Sequence, residues 1–233
     1  MAWLARLHLQ YSSRDGPGPQ ERTVVHARHE GPLRVMKSLY PEGPAVCHTV
    51  LIHPPSGLVG GDTLELELDL ATGCHGVVTT PGATRFYRST GASASQSLLA
   101  RLEPGARLEW LPLENIAYSG CQGQNRIRFE LAAGAELMAW DVTALGLPAS
   151  GQAIDRARRD ELLEAARQQI AGHDLAAWAG VTAPNGRIIV LRVLSEMVEP
   201  AMDLLRQVRG AWRELAWHLP ALSPRVWQEL PTH

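Results

Sequence analysis

The stretch VTTPGATRFYRS, residues 78–89, gathers side chains that do chemistry: two threonines, a Pro-Gly turn, Arg85, Phe86, Tyr87 and Arg88. Arginines and aromatic rings are the types enriched where proteins meet partners. The loop therefore reads either as a surface for a partner or small anion, or as aromatics capping the end of a sheet. The corner PPSGLVGGDT, residues 54–63, poses a second question. A phosphate-cradling loop needs a lysine before its threonine, and Asp62 stands there instead. A carboxylate repels phosphate, which argues against nucleotide binding at this corner. Asp62 either offers a hard oxygen ligand to a cavity or bonds the backbone of its own turn.

Cys47-His48 and Cys74-His75 look like metal pairs. Neighbours on a strand point to opposite faces, however, so they do not chelate one ion together. His48 and His53, five residues apart, face opposite sides of an ideal strand for the same reason. No Cys-x-x-Cys or His-x-x-x-His spacing supports a closed zinc site, and buried cysteines usually serve as small apolar fillers. Neither PASGQ, with Ser150 on a sharp turn, nor STGASAS fits the nucleophile pattern of a serine hydrolase. Asp62, Glu109, Glu114 and Asp141 are scattered carboxylates. They suit acid-base chemistry, a metal path or solvated strand positions equally.

The elements that must position these residues are mostly strands. AWLARLHLQY alternates with Trp3, Ala5, Leu7 and Leu9 on one side, and RTVVHARHEGPL and AVCHTVLI read as further strands. The segments ELDLATGCHGVVTT, ARLEPGARLEWL and FELAAGAELMAW each place a glycine turn between two strands. Gly73, Gly105 and Gly134 recur at spacings of 32 and 29 residues. Glycine takes a positive φ without steric cost. Repeats of this length fit stacked rungs of a β-solenoid, each burying a face against the next, or three ordinary hairpins of a sandwich. After residue 152 the texture changes. Leu162, Leu163, Ala166 and Ile170 fall at helical spacing, with Gly172 as a stop. GRIIVLRVLS is a strand. Ser195 is placed to cap a last helix with Pro200 in its first turn, carrying Val198, Met202, Leu205, Trp212 and Leu215.

The 233 residues, 45% hydrophobic, suffice for one large core or two modest ones. A net charge of -2 and a pI near 6.5 give no basic surplus for nucleic acid. No apolar run is long enough to cross a bilayer. The N-terminal MAWLARLHLQYSSRD lacks the apolar stretch and small-residue cleavage site of a signal peptide. Three distant cysteines, Cys47, Cys74 and Cys121, make no disulfide framework, which points to a reducing cytoplasm. The expected fold is mainly β: many short antiparallel strands in two stacked sheets or a β-solenoid-like arrangement, with two helices in the C-terminal third. The chain reads as one domain, 1–233, with a β-rich part to 152 and a helix-strand-helix part from 153.

Five segments in order over residues 31–151 narrow this reading: GPLRVMKSLYPEG, CHTVLIHPPSGLVGGDTLELELDL, TTPGATRFYRS, LEWLPLENIAYSG and DVTALGLPASG. Together they closely resemble the signature segments of the urease accessory protein UreD family, called UreH in some organisms. The C-terminal GVTAPNGRIIVLRVLSEMVEPAMDLLRQVRGAWRELA is similar to the end of that family. The resemblance implies a scaffold without catalytic turnover, not an enzyme. It implies a complex with UreF and the GTPase UreG that delivers nickel to apo-urease, in the cytoplasm, with no nucleic acid or membrane involved. It implies no tightly bound cofactor, nickel(II) being transient cargo. Residue by residue, Asp62 matches the acid closing the VGGD segment, Glu114 the acid of LEWLPLEN and Asp141 the acid before LGLPASG. These three carboxylates are expected along a transient nickel path, since moderate oxygen ligands hold an ion and release it. Arg85 takes the usually basic place in its segment, and with Phe86, Tyr87 and Arg88 it is expected to shape a partner surface or path mouth.

Two departures stand out. Leu113 replaces a usually polar residue. The chain is also shorter than the family pattern by roughly fifty residues after 152, which would leave unpaired strand edges and an exposed core face. Poor solubility without a partner is the expected consequence. Two other functions compete: a metal-dependent hydrolase using Asp62, His48 and Glu114 around an open position, and a metal-free β module that binds proteins.

Overall fold

The computed structural model describes residues 2–14, 22–118, 120–144, 156–185, 188–224 and 227. The chain divides into two compact units, Met1–Leu137 and Met138–His233. The first holds β1 (Leu4–Arg14), β2 (Arg22–Glu30), β3 (Arg34–Leu39), β4 (Val46–Ile52), β5 (Thr63–Leu70), β6 (His75–Thr79), β7 (Thr84–Phe86), β8 (Ala94–Leu102), β9 (Arg107–Leu111), β10 (Asn115–Ala117) and β11 (Gly123–Leu131). The boundary falls inside β12 (Glu136–Ala139). The second unit continues with β13 (Thr143–Ala144), α1 (Arg156–Ala171), β14 (Ala179–Asn185), β15 (Ile188–Val193) and α2 (Val198–Trp217).

The first unit is a solenoid. One sheet runs β11-β8-β5-β1-β2, and a second contains β9-β6-β4-β3. The two arms of each glycine turn lie in different sheets, so the turns are corners and not hairpins. Gly73, Gly105 and Gly134 have φ of 73°, 70° and 78°. A Cβ on Gly105 would sit 3.9 Å from Gly73 N, and one on Gly134 3.9 Å from Gly105 N. The three turns are thus stacked one above another. Because each rung repeats the path of the last, like strands run parallel: β1 on β5, β5 on β8, β8 on β11, and β4 on β6 on β9. This corrects the antiparallel expectation for those pairs; among the described residues β1–β2, β3–β4 and β14–β15 are antiparallel.

Alternation along the strands builds the core between the sheets. Ala5, Leu7, Leu9 and Tyr11 of β1 are buried, as are Leu64, Leu66, Leu68 and Leu70 of β5 and Leu98, Ala100 and Leu102 of β8. Trp3, expected on the same side, is half exposed. The opposite face of this sheet carries a charge ladder. Arg6 meets Glu65 at 2.6 Å, and Arg101 meets Asp69 at 3.1 Å and Glu130 at 3.6 Å. Opposite charges directly across neighbouring strands reinforce the register.

In the second unit, α1 buries Leu162, Leu163, Ala166 and Ile170, and ends at Ala171, just before Gly172, as the periodicity predicts. The Trp212 indole N–H donates to the Leu162 carbonyl at 2.8 Å. β14 and β15 form a hairpin whose Leu191 and Val193 pack with Ala201, Leu204 and Val208 of α2. Two expectations for α2 shift. The residue preceding it is Met197, and Ser195 Oγ accepts the Met197 N–H at 3.3 Å from outside the helix. Leu215 is exposed, while Arg213 is fully buried and donates to the Pro220 carbonyl at 2.7 Å. The chain leaves α2 through His218 at φ 55°, so this turn folds the tail back onto the helix. No described helix is long and apolar enough to cross a membrane.

Candidate functional site

Three signature segments form one corner of the solenoid in the first unit. Leu58 bridges to Phe86, and β7 pairs in parallel with β10, Phe86 opposite Ala117. The backbone bonds climb rung by rung. The Leu58 N–H donates to the Arg85 carbonyl at 2.7 Å, Tyr87 N–H to Leu58 at 2.9 Å, Thr84 N–H to Glu114 at 3.0 Å and Tyr118 N–H to Phe86 at 3.0 Å. Such close stacking explains two glycines. A Cβ on Gly57 would stand 2.4 Å from the Tyr87 ring, and one on Gly60 would stand 2.4 Å from the Ala92 carbonyl oxygen. Neither distance is tolerated by real side chains.

The four residues of the opening loop separate into roles. Phe86 is buried and packs over Gly123, where a Cβ would be 2.6 Å from its ring. It belongs to the core. Arg85 is half-buried and lines the cavity described below. Tyr87 and Arg88 are exposed. Tyr87 stacks on Tyr118 from the next rung, centroids 5.4 Å apart, and both rings stay open to solvent. An exposed, mutually rigidified tyrosine pair beside an arginine has the composition of an interaction hot spot.

Asp62 is only 2% exposed. Its Oδ1 accepts the Trp3 N–H at 2.8 Å, and its Oδ2 accepts the Val59 N–H at 2.9 Å. The carboxylate therefore closes its own turn and clasps the strand entering β1. The cavity, of about 410 Å³, lies between the sheets. Leu51, Leu66, Leu98 and Ile127 line it, with Thr80, Asn115, His53 and Trp110 among its polar groups. His53 Nε2 and Trp110 Nε1 are buried there without a protein hydrogen-bond partner. Burial pushes the His53 imidazole below its usual pKa, against a weaker upward pull from Asp62. Glu114 is half-buried, at the foot of β10. Asp141, also half-buried, belongs to the second unit.

The Cys-His pairs resolve differently from a metal site. His48 Nε2 lies 2.7 Å from Glu42 Oε1, both buried. His75 Nε2 lies 3.1 Å from Glu109 Oε1, across the β6–β9 ladder and equally buried. Sequence reasoning missed both pairs. Overlaying the glycine turns would have hinted at the second, since Glu109 falls on the rung next to His75, one pleat further on. Cys47 and Cys74 are buried, and burial raises the Cys47 thiol pKa. Among the described residues no three His, Cys, Asp or Glu side chains converge as a metal site. His48 is engaged by Glu42, so the hydrolase arrangement of Asp62, His48 and Glu114 is not built here. Ser150 lies outside the described residues.

A family model described as UreD urease accessory protein matches residues 4–161 and 156–228. Curated relatives named urease accessory protein UreD match end to end. That of Leptothrix cholodnii is 47% identical over 280 residues, covering 98% of this chain and 100% of that protein. That of Polaromonas naphthalenivorans is 46% identical over 279, covering 97% and 99%. That of Methylibium petroleiphilum is 42% identical over 295, covering 98% and 100%. These alignments are longer than the 233 residues of this chain, so the relatives carry residues for which this chain has none. The two matched pieces meet at 156–161, where the chain enters α1.

Proposed function

The chain belongs to the UreD family of urease accessory proteins, and we propose that, within urease maturation, it is the scaffold subunit through which nickel reaches apo-urease. Its relatives are accessory proteins and not enzymes. The single observation that carries the reading is the match across both units, with the family's signature segments stacked as one corner. On this proposal the chain works in the cytoplasm with UreF and UreG, binds no cofactor of its own and handles nickel(II) as cargo.

Asp62, Glu114 and Asp141 are the proposed carboxylates of the path. Each is an oxygen donor of moderate nickel affinity, which suits passage better than storage. The unpartnered nitrogens of His53 and Trp110 support a wet interior, because buried polar groups without protein partners take water. Tyr87, Tyr118 and Arg88 form the proposed partner surface at the mouth. Arg85 stands between mouth and cavity, and Phe86 supports them from the core.

Co-expression with UreF of the same organism, followed by pull-down and size exclusion, tests the scaffold role. A stoichiometric complex is expected, and Tyr87→Ala with Tyr118→Ala should weaken it. Folded protein that forms no complex would overturn the scaffold reading. Activation of apo-urease in cells separates the path from the scaffold: Glu114→Gln is expected to lower nickel content and urease activity while the complex persists.

A further inference from the structure

The cavity between the sheets of the first unit holds about 410 Å³, within the range of roughly 300–1,000 Å³ in which small-molecule sites fall. Its wall is largely aliphatic, with Leu33, Leu51, Leu64, Leu66, Leu98 and Ile127. Most hydroxyl and amide groups on that wall are engaged by the protein itself. Thr80 Oγ1 accepts the Leu113 N–H at 2.9 Å, and the Gln96 amide donates to Asn125 Oδ1 at 3.5 Å. Ser56 and Ser97 donate to the Pro54 and Leu64 carbonyls. Three nitrogen-bearing groups are different. Trp110 is 5% exposed, and its Nε1–H, which can only donate, is buried with no partner. His53 Nε2 is also buried with no partner. Arg85 is half-buried on the same wall, and among the described residues no carboxylate lies within ion-pair distance of it.

These three groups ask for the same thing, an acceptor. An orphan buried donor costs about 1–3 kcal/mol, and the field of an unpaired guanidinium is felt strongly between apolar walls. Among the described residues no Asp or Glu lines the cavity. A metal cation would meet Arg85 there as a like charge and find no carboxylate. A sugar or nucleotide would set its hydroxyls against leucine and isoleucine. The chemistry that fits is an anion with an apolar body. At about 30 Å³ for each water-sized group, the cavity has room for on the order of a dozen non-hydrogen atoms. Pro54, Ser56 and Gly82 are exposed members of the lining and mark the side that meets solvent.

We propose that this cavity binds a medium-chain aliphatic monocarboxylate, its carboxylate held by Arg85 and the N–H donors of Trp110 and His53, its chain against Leu66, Leu98 and Ile127. His53 takes part in the tautomer that carries the proton on Nε2. Charge-assisted hydrogen bonds then replace unmet donors, and the chain covers the aliphatic wall. Water takes the same donors when the carboxylate leaves. The inference goes beyond the nickel role and does not rest on it: Asp62, Glu114 and Asp141 are not among the lining residues, and no metal, urease or accessory partner enters the test.

Octanoate is the probe, titrated into the full chain at neutral pH, where its carboxyl is ionised. Octanol and octylammonium, equal in chain length, are the controls. Calorimetry is expected to show a single octanoate per chain, bound about tenfold tighter than octanol, and no binding of octylammonium. In proton–nitrogen NMR the Trp110 indole signal, assigned by its loss in Trp110→Phe, should move with octanoate and stay in place with octylammonium. Arg85→Gln, checked by its unfolding curve, should lower octanoate to the affinity of octanol and leave octanol unchanged. Equal affinity for octanoate and octanol, many equivalents bound per chain, or a preference that survives Arg85→Gln overturns the proposal. No binding at all overturns it in favour of a chamber that holds water alone. Should Arg85→Gln fail to fold, the three ligands and the Trp110 signal on the unaltered chain decide the matter.

Discussion

At the scale of single residues, burial decides which chemistry remains open. Asp62→Ala removes the acceptor of two part-buried N–H groups, those of Trp3 and Val59, and should cost about 1–2 kcal/mol in urea unfolding. A loss of urease activation in that variant would therefore say little about a path. Glu114→Gln removes charge from a half-exposed side chain and should leave the unfolding curve in place, so it is the cleaner probe. His53 gives a pH prediction. Its pKa is depressed in the folded state, so the unfolded chain takes up the proton first. The stability it supports is complete above the usual imidazole value near 6.5 and is lost as pH falls through the lower, folded value. Melting temperature should drop from pH 7 toward 5, and His53→Gln should flatten that slope. Equal slopes for both proteins would remove His53 from the account. Thiol alkylation offers a third check. Cys121 is partly accessible, and Cys47 and Cys74 are buried. One thiol should react in native buffer and the other two only in denaturant, as read by intact mass.

At the scale of elements, the glycine spacing was the most legible signal, and it chose between two folds only once the partner strands were known. A hairpin and a solenoid corner ask for the same positive φ, so Gly73, Gly105 and Gly134 could not distinguish them alone. The columns around them do. Counting from each glycine aligns Asp69, Arg101 and Glu130 on one side and His75, Arg107 and Glu136 on the other. Arg101 bridges Asp69 and Glu130, and Arg107 meets Glu136 at 2.9 Å. The alternation of sign in the Asp69, Arg101, Glu130 column, at a fixed distance from the turn, is the mark of parallel stacking, and it was present in the sequence. The His48–Glu42 pair was not legible, because Glu42 reaches it from a loop with no period. Nor was the division of Phe86 from Tyr87, since which aromatic faces inward depends on where Gly57 and Gly123 bring their backbones. Two substitutions separate conformational from steric demand. Gly105→Ala meets only ordinary contact but must hold φ near 70°, and should cost about 1–2 kcal/mol. Gly60→Ala drives its Cβ into the Ala92 carbonyl. It should be the more damaging of the two in thermal unfolding, and should also loosen the Tyr87–Tyr118 corner above it.

At the scale of the whole molecule, the solenoid behaves as a stack whose rungs answer mainly to their neighbours. β5 and β8 are each flanked by a strand on both sides, and their core residues are almost fully buried. β11 has β8 on one side, and its core column is half open. Local opening should therefore start at β11 and grow harder toward β5, because each inner rung can open only by losing two ladders and a sealed apolar layer. Native-state hydrogen exchange is expected to show this gradient. Protection should be highest at Leu66 and Leu68, slightly lower at Leu98 and Ala100, and lowest along β11. A uniform protection across all three strands would mean that the unit opens as one cooperative block, and that the end of the stack is held by contacts outside the ladder. The gradient would mean instead that this chain keeps a stable inner stack, with one labile rung at β11.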